Sequence, residues 1–290
     1  MNTLGIYFGL EGIQIVNIKK TEILSYTQIP RSAFEISEEL GEEKVPQELK
    51  IVALIKEELR KAKIEAERLT LVLPGRELIL RHFELPPIPQ KELPSAISFE
   101  VVKYIPFKMN DLIWDYRAEF DKTNKRYLVL FSGIRKDSLD RYLSILNQLN
   151  MKILRIEYAG FSILRFLKKE KGISGIIDFD QGDELNFIIL KNGFPVFSRD
   201  VSFMDKFSNT KDYLDKIKSE LRISLDFYHR RFPTSAVHKL FLLAPYEYTE
   251  EISNFLKERN ISVQISSLKF LKGLKEYSTS LLKAYAGGLR

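Results

Sequence analysis

The feature that most constrains the fold is a glycine-containing hairpin pattern that occurs twice. Gly5, Ile6, Gly12 and Ile18 recur at one constant offset as Gly175, Ile176, Gly182 and Ile188. Each copy is rich in β-branched residues and leads through a turn to a third strand and then a helix. This repetition predicts two related halves. Because strands alternate with helices after each hairpin, we expect an α/β fold whose helices cover mixed sheets.

A third unit is predicted between the two halves, at residues 77–156. Its apolar patterns predict a β-α-β-β-α-β order, with the last strand at 153–156. The predicted organisation is a first lobe at 1–76 and 157–172, a small inserted subdomain at 77–156, and a second lobe at 173–290.

The charge and cysteine content narrows the possible functions. The chain has 45 Lys and Arg against 39 Asp and Glu, a net charge of +6, and no cysteine. Cysteine-based nucleophiles, disulfides and cysteine-ligated metals are therefore excluded. The basic residues are spread out rather than gathered with aromatics into a stripe, so we expect no binding to nucleic acid.

Membrane insertion is not expected either. The apolar runs are far shorter than the ~18 residues of a transmembrane segment. The first residues lack the charged and apolar regions of a signal peptide. The sequence therefore predicts a cytoplasmic protein.

The two glycine bends are the candidate sites for a phosphate ligand, because backbone N–H groups at glycine can approach phosphate closely. The candidate residues are Gly9, Gly12, Asp178 and Gly182, with Asp178 as the candidate magnesium ligand. The alternative is that these are plain hairpins whose acidic tips, including Glu184, are solvated. No catalytic residue is predicted, since the three histidines are scattered and no nucleophile motif is present.

Several short motifs occur in a fixed order. They are Leu-Pro-Gly-Arg-Glu at 73–77, Glu-Leu-Pro-Pro-Ile-Pro at 84–89, Phe-Glu at 99–100, Tyr-Ile-Pro-Phe at 104–107, Asp-Tyr at 115–116 and Ala-Gly-Gly-Leu-Arg at 286–290. This series resembles the PilM-type pilus assembly proteins, which are relatives of the cell-division protein FtsA. The resemblance implies an actin-like (ribonuclease H-like) two-lobed fold with an FtsA-like insertion. It also implies that the outer part of the second lobe is reduced, because the segment between Phe203 and Lys211 is short for the family.

The resemblance also implies a role and partners. Such proteins belong to the inner-membrane platform of a type IV pilus or a related secretion machine, and they lie at its cytoplasmic face. They bind ATP, and they bind the short N-terminal cytoplasmic peptide of a bitopic PilN-like membrane protein. Pilus motor or platform proteins are further possible partners. We expect the peptide groove beside the insertion, at Ile105, Pro106 and Phe107, although Phe107 could instead plug a seam between subdomains.

The phosphate loops depart from the family pattern. Where the family has Asp-Ile-Gly-Ser-Ser-Ser, residues 7–12 begin with Tyr7 and lack hydroxyl donors. The second loop keeps Asp178 but loses the adjacent glycine and the hydroxyls. In the adenosine stretch at 244–247, Tyr246 is expected to fill the space that glycine leaves open.

These departures predict a nucleotide-independent scaffold without a cofactor. Two alternatives remain open. One is a weak ATPase that uses ATP and magnesium through Asp178. The other is the cytoplasmic part of a GspL-like type II secretion protein.

Overall fold

The computed structural model describes residues 2–34, 47–166, 171–179, 184–203, 207, 209–265 and 278–289. Its thirteen described strands form two five-stranded sheets and one three-stranded sheet. The strands are β1 (Thr3–Phe8), β2 (Gly12–Lys19), β3 (Glu22–Pro30), β4 (Arg68–Leu73), β5 (Ile79–Leu85), β6 (Leu112–Asp121), β7 (Arg126–Arg135), β8 (Lys152–Tyr158), β9 (Ile173–Asp178), β10 (Glu184–Lys191), β11 (Phe194–Ser202), β12 (Lys239–Leu243) and β13 (Ser262–Ile265).

Helices cover these sheets. The described α-helices are α1 (Gln47–Lys61), α2 (Leu93–Val101), α3 (Lys136–Leu146), α4 (Ala159–Ile163), α5 (Thr210–Arg231), α6 (Tyr246–Lys257) and α7 (Thr279–Gly288). Their apolar stripes explain their positions. In α5, for example, Leu214, Ile217, Leu221 and Leu225 recur at helical spacing and all are buried.

The two large sheets have the same topology. The first has the order β3-β2-β1-β4-β8 and the second the order β11-β10-β9-β12-β13. In each, an antiparallel three-strand meander is followed by two parallel strands. The predicted duplication is therefore confirmed. Strands β1 and β9 lie at the centre of their sheets, and nearly every residue in them is buried.

The inserted unit differs from the predicted order in one respect. Its sheet has only three strands, in the order β5-β7-β6, and α2 packs on one face. The strand β8 pairs in parallel with β4, so it belongs to the first large sheet. Helix α3 likewise packs against α1 and the core of that sheet. The prediction that this helix and strand complete a β-α-β-β-α-β insertion over 77–156 is therefore wrong.

Helix α7 lies between the two large sheets, although it is the last helix in the sequence. It packs against β1, β2 and β4 of the first sheet, and its apolar residues share a core with β9 and β12 of the second. Three glycines make this close contact possible. A Cβ at Gly5 would lie 1.7 Å from the carbonyl oxygen of Ala284, and Cβ atoms at Gly287 and Gly288 would clash with Val72 and Ile18.

Candidate functional site

The first candidate loop is the tight turn between β1 and β2. The Gly9 N–H donates to the Gly12 carbonyl at 2.9 Å, which closes the hairpin. Gly12 has a φ of +143°, and a Cβ there would lie 2.1 Å from the Ile29 carbonyl oxygen. A Cβ at Gly9 would lie 2.8 Å from the Tyr7 ring. Packing within the chain therefore accounts for both glycines without a ligand.

Asp178, the candidate magnesium ligand, has a cationic side chain beside it. The Lys283 Nζ on α7 lies 3.2 Å from Asp178 Oδ2, and the side chains are 0% and 1% exposed. The same oxygen accepts a hydrogen bond from Asn186 Nδ2 at 2.9 Å. The Lys283 ammonium also lies 5.3 Å from the ring centroid of the buried Tyr7. A lysine therefore supplies the positive charge next to the carboxylate where a magnesium ion would be expected.

A second acidic residue, Asp200, faces the same region. The Tyr158 hydroxyl donates to Asp200 and lies 3.1 Å from Asn186 Oδ1. Burial, followed by the negative charge of Glu184, raises the pKa of Asp200 to about 7. These contacts, together with the Asn186–Asp178 hydrogen bond, link the polar side chains between the lobes into one network.

Glu184 ties the two lobes together. Its carboxylate accepts hydrogen bonds from the Gly75 N–H at 2.7 Å, the Arg76 N–H at 3.2 Å and the Ser202 hydroxyl at 3.0 Å. Its side chain is fully buried, so the interpretation of Glu184 as a solvated acidic tip is wrong. A Cβ at Gly75 would lie 2.2 Å from Asp200 Cγ, which explains the glycine of the Leu-Pro-Gly motif.

Two other predictions about the cleft have different outcomes. Tyr246 is 94% exposed at the start of α6, so the expectation that its ring fills the cleft is wrong. Gly182 lies outside the described residues.

Among the residues described, no group of three or more histidine, aspartate or glutamate side chains is arranged to hold a metal ion. Lys283 lies beside Asp178, and Tyr7 lies on β1 just before the first loop.

The three histidines also have no catalytic arrangement. His82, on β5, is 2.8 Å from the Ser198 hydroxyl on β11 through its Nε2. Burial, followed by the nearby charge of Arg231, lowers the pKa of His82 to about 3. His82 is therefore a neutral residue in the contact between the insertion and the second lobe.

A cavity of about 370 Å³ lies in the first lobe, at the end of β1 where the chain turns toward β2. Helices α1 and α3 and the turn after β4 form its walls. Its apolar lining comes from Phe8, Leu10, Ile13, Phe34, Ile51, Tyr142 and Ile145. Arg31, Arg76 and Arg141 add positive charge, and Glu48 and Glu77 add negative charge. Such a mixture of apolar walls with a few charged groups is typical of a ligand site.

The residues predicted for the peptide groove lie elsewhere. Ile105 is buried in the core of the insertion, and Phe107 packs against the same core. The Arg135 guanidinium lies 5.6 Å from the Phe107 ring centroid. Pro106 is exposed. None of the three lines the 370 Å³ cavity.

Sequence reasoning missed Lys283, Asp200 and the cavity. The sequence does carry a signal for Lys283, because a charged residue is unusual in such an apolar helix. Asp200 had none, because its partners lie on other strands. The arginines of the cavity come from three separate segments, which only the fold brings together.

The two similar sheets, with α4 and α7 between them, define an actin-like fold. Three solved structures share this fold. One is the PilM–PilN type IV pilus biogenesis complex, with a TM-score of 0.74 and 17% identity, covering 100% of this chain and 99% of that one. A second is the cytoplasmic domain of EpsL of the Vibrio cholerae type II secretion system, with a TM-score of 0.56, 12% identity and 98% and 93% coverage.

The third is a Bacteroides thetaiotaomicron protein with an actin-like ATPase fold and unknown function. It has a TM-score of 0.52, 13% identity and 91% and 90% coverage. At residues 5–211 the chain matches the family model of the type IV pilus assembly protein PilM. The chain therefore belongs to the PilM family of type IV pilus assembly proteins. No curated protein sequence matches it. None of the described helices is long and apolar enough to cross a membrane.

Proposed function

We propose that this PilM-family protein is a nucleotide-independent scaffold. In this proposal it binds the N-terminal cytoplasmic segment of a PilN-like, single-span membrane protein in the first-lobe cavity. The attachment holds it at the cytoplasmic face of the inner membrane. The observation that carries the proposal is the 370 Å³ cavity with mixed apolar and basic walls, beside an interlobe cleft in which Lys283 pairs with Asp178.

The cavity chemistry favours a short peptide over a small polar metabolite. Apolar side chains such as Phe8, Phe34 and Ile51 can take up apolar residues of an extended segment. The Arg31, Arg76 and Arg141 guanidinium groups can donate hydrogen bonds to its backbone carbonyls or carboxylates. Binding in such a groove would combine buried apolar area with a few directional contacts.

The cavity is also connected to the rest of the molecule. Arg76, which lines it, is 3.5 Å from Glu184 of the second lobe through its guanidinium. The Glu184 carboxylate fixes the Gly75 and Arg76 N–H groups as well. These contacts within the chain hold the cavity wall in place, which supports the proposal of a scaffold that needs no nucleotide.

The peptide proposal is tested by calorimetry with a synthetic N-terminal segment of a PilN-like, single-span membrane protein. We expect micromolar binding to the wild type. Arg141→Glu, at the cavity, should weaken binding about tenfold. The substitution replaces a hydrogen-bond donor with a negative charge, which repels any carboxylate of the peptide. Lys136→Glu, a charge reversal at the start of the same helix, is the control. No binding to the wild type, or equal losses in both variants, would refute the site.

The nucleotide proposal is tested separately by thermal shift with ATP and magnesium. A protein that binds neither should show the same melting temperature with and without them. A clear upward shift that Asp178→Ala abolishes would instead favour the weak ATPase. Peptide binding is measured without nucleotide, so the two parts can fail independently.

A further inference from the structure

Strand β6 forms an open edge of the three-stranded sheet. It has ten residues, and among the strands that the structure describes it pairs only with β7. This pairing runs from Leu112 to Asp121 without a register shift, so the strand has no bulge. It contains no proline or lysine. Long, regular edges of this kind are usually blunted by such features, because their free backbone groups attract another strand.

The hydrogen bonds of Tyr116 show which residues face the open side. Its backbone N–H donates to Asp115 Oδ1 at 2.7 Å, in an exposed position. A strand N–H that bonds an exposed side chain in this way points away from the neighbouring strand, so we infer that Tyr116 faces the open side. Backbone groups of alternate residues point to opposite sides of a strand. The N–H and C=O groups of Trp114, Tyr116 and Ala118 therefore point to the open edge. When another strand binds there, the Tyr116 N–H exchanges its bond to Asp115 Oδ1 for a carbonyl of that strand, which frees the Asp115 carboxylate to contact the partner.

We propose that β6 is a self-association surface. It pairs antiparallel with β6 of a second copy, about a two-fold axis that passes through Tyr116. The two three-stranded sheets then become one continuous six-stranded sheet. Such an interface is isologous, since each copy presents the same strand to the other.

The side chains of β6 are complementary to themselves in this register. Asp115 lies opposite Arg117 of the partner, and Arg117 opposite the partner's Asp115, which gives two opposite-charge pairs. Both side chains are exposed in the single chain, and the Arg117 guanidinium lies 5.5 Å from the Phe194 ring centroid. On the other face the large Trp114 meets the small Ala118. Tyr116 meets its own copy.

The neighbouring registers are disfavoured by charge. With the axis at Asp115, that residue would face its own copy. With the axis at Arg117, two arginines would meet and Asp115 would face Glu119 of the partner. Like charges directly opposite each other in a sheet are destabilising. Of these three registers, the one centred on Tyr116 is therefore the one that places opposite charges across from each other.

Sedimentation equilibrium over a concentration series tests this proposal. The wild type should show a concentration-dependent monomer–dimer equilibrium. Asp115→Arg and Arg117→Asp should each weaken it about tenfold or more, because each places like charges opposite each other. The double variant Asp115→Arg/Arg117→Asp restores the pairs and should recover the wild-type affinity. Arg222→Asp, the same reversal on the exposed side of α5, is the control and should have no effect.

Cross-linking tests the register directly, since the chain has no cysteine of its own. Directly opposite residues in a hydrogen-bonded antiparallel pair have Cα atoms about 5.5 Å apart, within the range of a disulfide. Tyr116→Cys should therefore form a disulfide-linked dimer on mild oxidation, whereas Asp115→Cys should not. A wild type that stays monomeric throughout the series, a double variant that is not rescued, or cross-linking through position 115 instead would overturn the proposal.

Discussion

Lys283 Nζ lies 3.2 Å from Asp178 Oδ2 in the interior of the protein, with both side chains almost fully buried. Lys283 belongs to α7, which packs on the first sheet, whereas Asp178 ends β9 of the second. The pair therefore joins the two halves of the chain through a buried contact. Its position suggests that the lobes are held together by the chain itself.

Removing the lysine should destabilise the whole protein. Lys283→Met keeps a long side chain but leaves Asp178 without its cationic partner in a buried site. Breaking one partner of a buried pair costs about 3–5 kcal/mol. We expect a loss of that size in the free energy of unfolding, measured by urea denaturation.

The double variant Lys283→Met/Asp178→Asn is the matched control. It removes both charges, so it should recover much of the stability lost in the single variant. If the single variant retained wild-type stability, the pair would not be the contact that holds the lobes together.

The titration of Asp200 should make stability depend on pH. Its folded-state pKa of about 7 lies above that of an unfolded aspartate. The folded state therefore binds the proton more tightly, and the Asp200 contribution to stability falls as pH rises from about 4 to about 7. Asp200→Asn cannot titrate and should lose this dependence. The measurement is urea denaturation of the wild type and the variant at several pH values. The quantity compared is the difference between their free energies of unfolding. A difference that is flat from pH 4 to pH 8 would contradict the assignment.

The two halves allow a paired test of glycine packing. Gly5→Ala places a methyl group 1.7 Å from the Ala284 carbonyl oxygen, so α7 must move away from β1. Overpacking of this kind costs about 1–3 kcal/mol or more. Gly175→Ala, at the equivalent position, meets the Ile188 carbonyl oxygen and the Leu240 side chain, both at 2.7 Å. These contacts are less severe than the 1.7 Å contact at Gly5, and the Leu240 side chain can shift. Thermal denaturation should show the larger loss for Gly5→Ala. Equal losses would mean that α7 does not pack more closely on Gly5 than the neighbouring groups pack on Gly175.

Local sequence patterns were sufficient for much of the fold. The apolar strands around Gly5 and Gly175 lie where the repeated hairpin pattern predicted them. Strand β8 was assigned to the wrong sheet, because a short apolar strand does not specify its neighbour. Its pairing with β4 depends on contacts that are distant in sequence.

The candidate site was less predictable. Asp178 was found from its position before a glycine bend, but its partner Lys283 is more than a hundred residues away in sequence. Tyr246 was expected in the cleft because of its place in the chain, yet its side chain points outward from the start of α6. Residue type at a matching position does not determine side-chain direction, which depends on the local backbone.

The position of α7 has a consequence for biosynthesis. This helix covers β1, but it is translated after every other element that the structure describes. Until it arrives, one apolar surface of the first sheet stays open, and nascent chains must be shielded from aggregation during that interval. Substitutions near Gly287 that prevent this packing should therefore increase degradation or aggregation of the newly made protein as strongly as substitutions in the β1–β2 hairpin do.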